Sequence, residues 1–514
     1  MEGFFPLLTA LEVIFLKPVF VQHSSYQQFV LEQLDTHYSG PILVLRNKDW
    51  PLIAKLWVTD LSYINTLLAK GYGDRGPKPR DPASLMRCYL VFLMTKPTIG
   101  LTEWVEELHR IPLYAIISGF EPGDVPGVGT FYDFFDRLWK SSKKDVKPKR
   151  QKRKKKPKKG KKKGQKAPTT TTGKVKRLIK WMTRGTATMT HLPTDTLFHF
   201  FESQILTVSA ELGLLGNTDA LRVAGDGTPV ATSAYPRSKP ACNCSAQGHT
   251  ECNHARVYSQ PDCNIGWDSS RERHYHGYNL YMLSASDSHY DLPLYPKLQR
   301  ASRHDSVSLV MSAVEFQQRS TLGTIDKMLL DAAHDAQSIY EMLDDQGIEP
   351  IIDLNERGKK NTQTGGNIAI SPAGIPICPA GLEMKPNGYD HTQDRQKWRC
   401  SLACNTKNSC ENPCSNAKYG RTFHTHSKDN LRLYPKTIRG SQKWKLIFKR
   451  RTSVERSNKR EKVDYKLETG RHRSTKMWYM RLYGIMICQH VDAWYAVQQE
   501  SLSELKTVIY PAVA

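Results

Sequence analysis

No stretch of this 514-residue chain is apolar for long enough to cross a bilayer as a helix, which takes about twenty residues. Cysteine is sparse, 11 residues in all, so a disulfide-stapled scaffold is excluded. No repeat of solenoid period recurs along the chain. The first twenty residues are apolar but lack a basic start and a small-residue cleavage site, so they are expected to pack on the first domain and not to act as a signal peptide. Acidic residues are also short: 50 Asp and Glu face 74 Lys and Arg, for a formal net charge of +24. Such a surplus points to a polyanionic partner, nucleic acid or an anionic membrane surface.

The apolar content of 39% and aromatic content of 10% suit a globular protein of two or three domains with a polar insert. That insert is visible. Residues 143–166 hold sixteen Lys or Arg and one Asp, +15 of the +24. With too few apolar residues to anchor a core, residues 141–175 are expected to form a disordered linker that binds phosphates through counterion release. The remaining +9 falls on the folded parts, which predicts a basic groove there as well.

Before the linker, residues 1–140 read as a helical DNA-binding domain. "DPASLMRCYLVFLM" (81–94) opens with Asp-Pro and then runs apolar at helical spacing. "VGTFYDFFDRLWK" (128–140) puts Phe131, Phe134, Phe135 and Leu138 on one face. After the linker the pattern changes. "ALRVAGDGTPVAT" (220–232) reads as a strand ending at Asp226 and Gly227, "YNLYMLSAS" (278–286) and "LPLYPKLQ" (292–299) as two more, and "DSVSLVMSAVEFQQ" (305–318) as a helix. Residues 324–353 read strand, helix, strand, a βαβ unit that requires a parallel pair and α/β architecture. Residues 355–445, rich in Gly, Asn, Pro, Cys and Lys, read as an insertion before final helices at about 449–466 and 474–500.

Three acids stand out. Asp226 and Asp331 lie at strand ends, and Glu455 sits in "FKRRTSVERSNKREK" (448–462) among many cations. Strand ends in a mixed sheet adjoin one another, and a helix can lay a third acid across them. Clustered carboxylates repel unless cations neutralise them, and hard oxygen donors suit Mg²⁺ or Mn²⁺. Two such ions about 4 Å apart can activate a hydroxyl and stabilise the leaving oxygen of a phosphodiester. At helical spacing Phe448, Arg451, Glu455 and Lys462 fall on one stripe, with Asn458 and Lys459 on the same side. The cations there are candidates for phosphate binding, and Glu455 for the metal. The plainer alternative is a solvated helix with an Arg451–Glu455 surface pair. Asp219, Asp326 and Asp335 are nearby rivals for the metal site.

These residues resemble the DDE-type insertion-sequence transposases. That family carries a Tyr-x2-Arg-x3-Glu-x6-Lys signature around its third acid; Arg451, Glu455 and Lys462 match it, with Phe448 in place of Tyr. "AGDGT" (224–228) looks like the first-acid strand, "LLDAAHDA" (329–336) like the second, and "RASRHDS" (300–306) like the stretch before the intervening helix. The resemblance implies a ribonuclease H-like mixed sheet flanked by helices over residues 176–514. It also implies Asp226, Asp331 and Glu455 as catalytic metal ligands, and Arg451, Lys462, Lys459 and Asn458 as DNA contacts. The implied activity is cleavage at the ends of a mobile element and joining of the 3′-hydroxyls to target DNA. The protein would act as a homodimer on double-stranded terminal inverted repeats and target DNA, at the nucleoid in the bacterial cytoplasm and with no membrane role. A DNA-binding protein that keeps the fold but no longer cuts, and a nuclease of the same fold without strand transfer, are the competing readings.

Two cysteine clusters remain. Cys242, Cys244, Cys252 and His254, with His249 and Cys263 nearby, can close a tetrahedral structural Zn²⁺ site; the alternative is free thiols in a loop. Cys378, Cys400, Cys404, Cys410 and Cys414 fall in the insertion without a clear pair of pairs. His274, His276 and His289 are expected to line surface or core.

Overall fold

The computed structural model describes residues 18, 20–73, 78–140, 173–183, 191–234, 247–248, 260, 263–355, 363–365, 368–402, 410 and 414–509. The Lys-rich tract and the first cysteine cluster (Cys242, Cys244, Cys252, His254) lie outside the described residues. Two compact units emerge, one made of residues 1–142, 192–205 and 491–514, the other of 143–191 and 206–490.

The first unit opens with helices α1 (His23–Tyr38), α2 (Trp50–Trp57), α3 (Tyr63–Leu68), α4 (Pro82–Thr95), α5 (Leu101–Arg110), α6 (Pro112–Ser118) and α7 (Val128–Leu138). α4 is its centre, buried from Pro82 to Leu93. Pro82 occupies the first turn, where a missing N–H costs nothing. The Asp81 carboxylate caps that turn by accepting from the Ser84 amide at 2.8 Å, and it also holds Asn65 Nδ2 at 2.8 Å. Phe131, Phe134, Phe135 and Leu138 face inward as their spacing requires. The chain then gives α8 (Lys174–Thr183) to the second unit and α9 (Asp195–Phe201) to the first, where α9 packs on α3.

The second unit continues with α10 (Thr207–Glu211), β1 (Leu221–Ala231), β2 (Asn264–Asp268), β3 (Arg273–Ala285), β4 (Pro293–Arg300), α11 (Asp305–Arg319), β5 (Ile325–Leu330), α12 (Gln337–Asp345) and β6 (Glu349–Ile352). The sheet runs β2-β3-β1-β5-β6, with β4 also on β3. β1, β5 and β6 are parallel, while β3 is antiparallel to β1, β2 and β4. This is the ribonuclease H-like mixed sheet flanked by helices. The insertion forms β7 (Gln363–Gly365), β8 (Ile368–Ile370), β9 (Pro376–Ile377), β10 (Lys385–Asp390), β11 (Arg395–Arg399) and β12 (Thr422–His426). These make two three-stranded antiparallel sheets around a core of Ile368, Ile370, Cys378, Met384 and Trp398. Helices α13 (Gln442–Lys449), α14 (Thr452–Lys459), α15 (Thr475–Val497) and α16 (Gln499–Ile509) close the chain.

Two local expectations are corrected, and one strand, β2, was not expected. β1 does not end at Asp226: β3 keeps pairing with it to Ala231, well past the point where β5 stops. β2 gives no sequence signal of burial, because Ile265 and Trp267 point outward, 42% and 56% exposed. The single stripe through "FKRRTSVERSNKREK" is broken at both ends. Phe448 belongs to α13, and a π-helical turn at Arg460–Asp464 follows α14. A π turn carries one more residue than an α turn, so Lys462 is rotated off the line of Glu455.

Candidate active site

β1 and β5 pair in parallel up to Ala224 and Leu329. Asp226 and Asp331 each stand two residues beyond that rung, so both carboxylates leave the same edge of the sheet on neighbouring chain paths, which in a sheet are about 4.8 Å apart. Asp226 is squeezed between two glycines, and each has a steric reason. A Cβ on Gly225 would come 2.8 Å from Tyr281 Oη, and one on Gly227 would come 2.1 Å from Asp305 Oδ1. The "AGDG" run thus lets a phenol and a carboxylate approach the strand from β3 and α11.

The charges in this cluster are coupled. Burial, then the nearby Asp331 and Asp305 carboxylates, push Asp226 up to about 7. Asp331 goes the other way. Burial works to raise it, but it is held below the ordinary carboxylate range by the His334 hydrogen bond and charge, the Ala333 amide and the Arg451 guanidinium. Asp331 Oδ1 accepts from His334 Nδ1 at 2.6 Å and from the Ala333 amide at 3.1 Å. His334 is fully buried, and its Nε2 meets Tyr281 Oη at 3.0 Å. Asp305, which accepts from Asn279 Nδ2 at 2.6 Å, is a third acid in this cluster. Sequence reading passed over Asp305, His334 and Tyr281. "RASRHDS" and the three-residue step from Asp331 to His334 were the available signals.

Glu455 lies on α14, which packs over β1 and β3. Its carboxylate is 46% exposed and pairs with Arg451 at 2.8 Å. Among the described residues no three His, Cys, Asp or Glu side chains are grouped closely enough to hold a metal ion. Asp226 and Asp331 leave adjoining strands with Asp305 near enough to act on Asp226 through its charge, while Glu455 stands on the overlying helix with its charge met by Arg451. Lys459 is exposed and Asn458 is buried. Lys462 Nζ turns toward β1, donating to the Pro229 carbonyl at 2.7 Å and pairing with Glu468 at 3.5 Å. Many cations of the stretch hold the helix in place. Arg450 donates to the Ser286 and Ser288 carbonyls, Arg456 forks onto Asp291, and Arg460 reaches the Tyr290 carbonyl. All four acceptors lie in the turn between β3 and β4.

The rival acids have other occupations. The Asp335 side chain is buried and takes a fork from Arg432 in the insertion, at 2.8 and 2.7 Å. Asp326 pairs with Lys327, and Asp219 sits in a 3₁₀ turn ahead of β1. Among the second set of cysteines, Cys378, Cys400 and Cys414 are free thiols and Cys404 lies outside the described residues.

The donor set suits a hard divalent cation. Asp226 and Asp331 offer oxygen only, and the high proton affinity of Asp226 is the response of a buried carboxylate to uncompensated negative neighbours. No described helix is long and apolar enough to cross a membrane. A family model described as "Transposase DDE domain" matches residues 226–489, just over half of the chain, starting at Asp226 and taking in Asp331 and Glu455. A comparison with curated proteins finds no match.

Proposed function

The chain belongs to the transposases with a DDE domain, and on that premise we propose that Asp226, Asp331 and Glu455 form the metal-binding catalytic centre of a DNA transposase. It cleaves at the ends of a mobile element and joins the 3′-hydroxyls to target DNA. The observation that carries this reading is the placement of Asp226 and Asp331 beyond one rung of the parallel ladder, with Asp226 pushed up to about 7 by burial and its acidic neighbours. Glu455 completes the set from α14.

Each residue has a task that its surroundings support. Asp331, kept ionised by His334, Ala333 and Arg451, is the permanent carboxylate. Asp226 gives up its proton when positive charge arrives. Glu455 is exposed and can exchange Arg451 for a cation by a side-chain rotation. Mg²⁺ or Mn²⁺ held there supplies activation of the attacking hydroxyl and stabilisation of the leaving oxygen. Arg451, released from Glu455, can hold a phosphate oxygen pair in a bidentate fork. Lys459 adds a point charge on the exposed side. Lys462 acts from within by fixing the β1 backbone at Pro229. The partner is double-stranded DNA, as the formal charge of +24 favours.

The test uses duplexes copied from the inverted repeats that flank the coding region. Wild-type protein with Mg²⁺ or Mn²⁺ is expected to cut at the repeat boundary and to join the 3′-end to a target plasmid. Asp226→Asn is expected to bind the duplex with similar affinity and not to cut it. Cutting by Asp226→Asn at the wild-type rate would overturn the assignment. Cutting without joining would identify a nuclease, and binding without cutting by the wild-type chain would identify an inactive DNA-binding relative.

A further inference from the structure

Asp331 does not stand alone at the end of β5. It opens a 3₁₀ turn, Ala332–His334, whose third residue folds its ring back onto the acid. His334 Nδ1 is 2.6 Å from Asp331 Oδ1, and the ring is fully buried. On its other side, Nε2 is 3.0 Å from Tyr281 Oη, and the two rings meet edge to face at 5.7 Å. Tyr281 comes from β3, opposite Gly227 of β1, and it reaches His334 by passing Gly225. The turn itself is tied to α11 through Ser306 Oγ, which donates to the Ala333 carbonyl at 2.9 Å.

Chemistry fixes the donor at the inner end of this chain. An ionised carboxylate only accepts, so Nδ1 carries the proton that is donated to Asp331. Nε2 lies within hydrogen-bond reach of the Tyr281 hydroxyl, a group that both donates and accepts. Burial and the surrounding acids raise that phenol well above its ordinary value, so it keeps its proton. A continuous hydrogen-bonded chain therefore connects Tyr281 through His334 to Oδ1. Oδ1 receives a second donor from Ala333, which leaves Oδ2 as the oxygen without a donor from the turn.

We propose that Tyr281 and His334 are positioning residues that lock the Asp331 carboxylate in the orientation in which Oδ2 receives a divalent cation. This rests on Asp331 being a metal ligand, as argued above, and adds a buried chain from β3 that fixes its rotamer. The chain also gives the glycine before Asp226 a role: any side chain there would strike the Tyr281 hydroxyl.

The experiment is a titration of the full-length protein with Mn²⁺ alone, followed by the loss of the free-ion paramagnetic resonance signal and checked by calorimetry. Asp331→Asn serves as the reference. Tyr281→Phe removes only the hydroxyl. His334→Asn keeps a donor near the position of Nδ1, and His334→Gln moves it to the position of Nε2. Outer partners of metal ligands typically contribute about 10–100-fold to metal affinity or activity. Tyr281→Phe and His334→Gln are expected to weaken Mn²⁺ binding by about 10-fold or more, with duplex affinity unchanged, and His334→Asn to retain more of the binding than His334→Gln. Thermal melts of the same samples identify any variant that fails to fold, and Tyr281→Phe, the smallest change, then decides. If Asp331→Asn binds Mn²⁺ as the wild type does, the metal assignment itself fails. If Asp331→Asn loses the ion while Tyr281→Phe and His334→Gln hold it within twofold of wild type, the positioning role is overturned and the metal assignment stands.

Discussion

Replacing Asp226 by Asn should stabilise the metal-free protein, by an amount that depends on pH. The acid rises from an ordinary 3.8 to about 7 on folding, through burial and then through Asp331 and Asp305. The folded state therefore binds this proton more tightly than the unfolded chain does. Its stability contribution is intact below pH 4 and is lost as pH climbs to and through 7. Each pKa unit is worth about 1.36 kcal/mol, so the loss is about 1.5 kcal/mol at pH 5 and about 4 kcal/mol at pH 8. Asn has the same shape and no charge to bury, so the gap between variant and wild type should widen by about 2.5 kcal/mol over that range. For a unit of this size that is roughly 5 °C in Tm. The assay is a set of thermal melts of both proteins in EDTA from pH 5 to pH 8. Adding Mn²⁺ at pH 8 should raise the wild-type Tm and leave the Asn variant where it was. A Tm gap that stays constant with pH, or an Asn variant less stable than wild type at pH 8, would refute the coupling of the three acids.

Arg451→Ala removes the partner of Glu455 and a cation that acts on Asp331, so end binding and cleavage should fall while Mn²⁺ affinity stays or rises; duplex shifts and metal titrations separate the two. Asp335→Ala strands the Arg432 guanidinium in a mostly buried site and should cost about 3–5 kcal/mol, read as a lowered denaturant midpoint, whereas Asp326→Ala removes an exposed acid from Lys327, which keeps Glu349, and should cost under about 1 kcal/mol. Deleting residues 143–166 should reduce the steepness of log K against log salt by about one unit for each phosphate that the tract neutralises; an unchanged slope would make the tract a spacer.

Much of this arrangement was readable from residue order alone. The βαβ segment at 324–353 announced its parallel pair because β5 and β6 are buried apolar runs flanking an amphipathic helix. The helical faces of α4 and α7 followed from spacing and the Asp81-Pro82 start. Asp226 and Asp331 were visible as acids at apolar strands. What stayed hidden was set by contacts distant in sequence. The length of β1 depends on β3 continuing to pair with it, about fifty residues later. Lys462 lies off the expected stripe because a π turn intervenes, and nothing in "REKVD" marks that extra residue. Arg450, Arg456 and Arg460 look like DNA contacts in a charged run, yet they grip the turn after β3. Asp305 and Tyr281 enter the site only because Gly225 and Gly227 leave space for them, and the space left by a glycine is visible only in three dimensions.

The parallel ladder between β1 and β5 has a consequence for how the protein comes into being. It joins Leu221 to Ile325 and Ala224 to Leu329, so about 105 residues must be looped out before the first rung closes. Contacts of that span form late, since loop entropy opposes them until much of the remaining structure is in place. Glu455 follows more than a hundred residues further on. At about 5–20 residues per second, a ribosome takes roughly 10–50 s to pass from Asp226 to Glu455. On the proposed assignment, the emerging chain lacks its third carboxylate throughout that interval. The wide spacing of the three acids then acts as a timer, and the proposed centre is complete only when synthesis of the second unit is nearly finished.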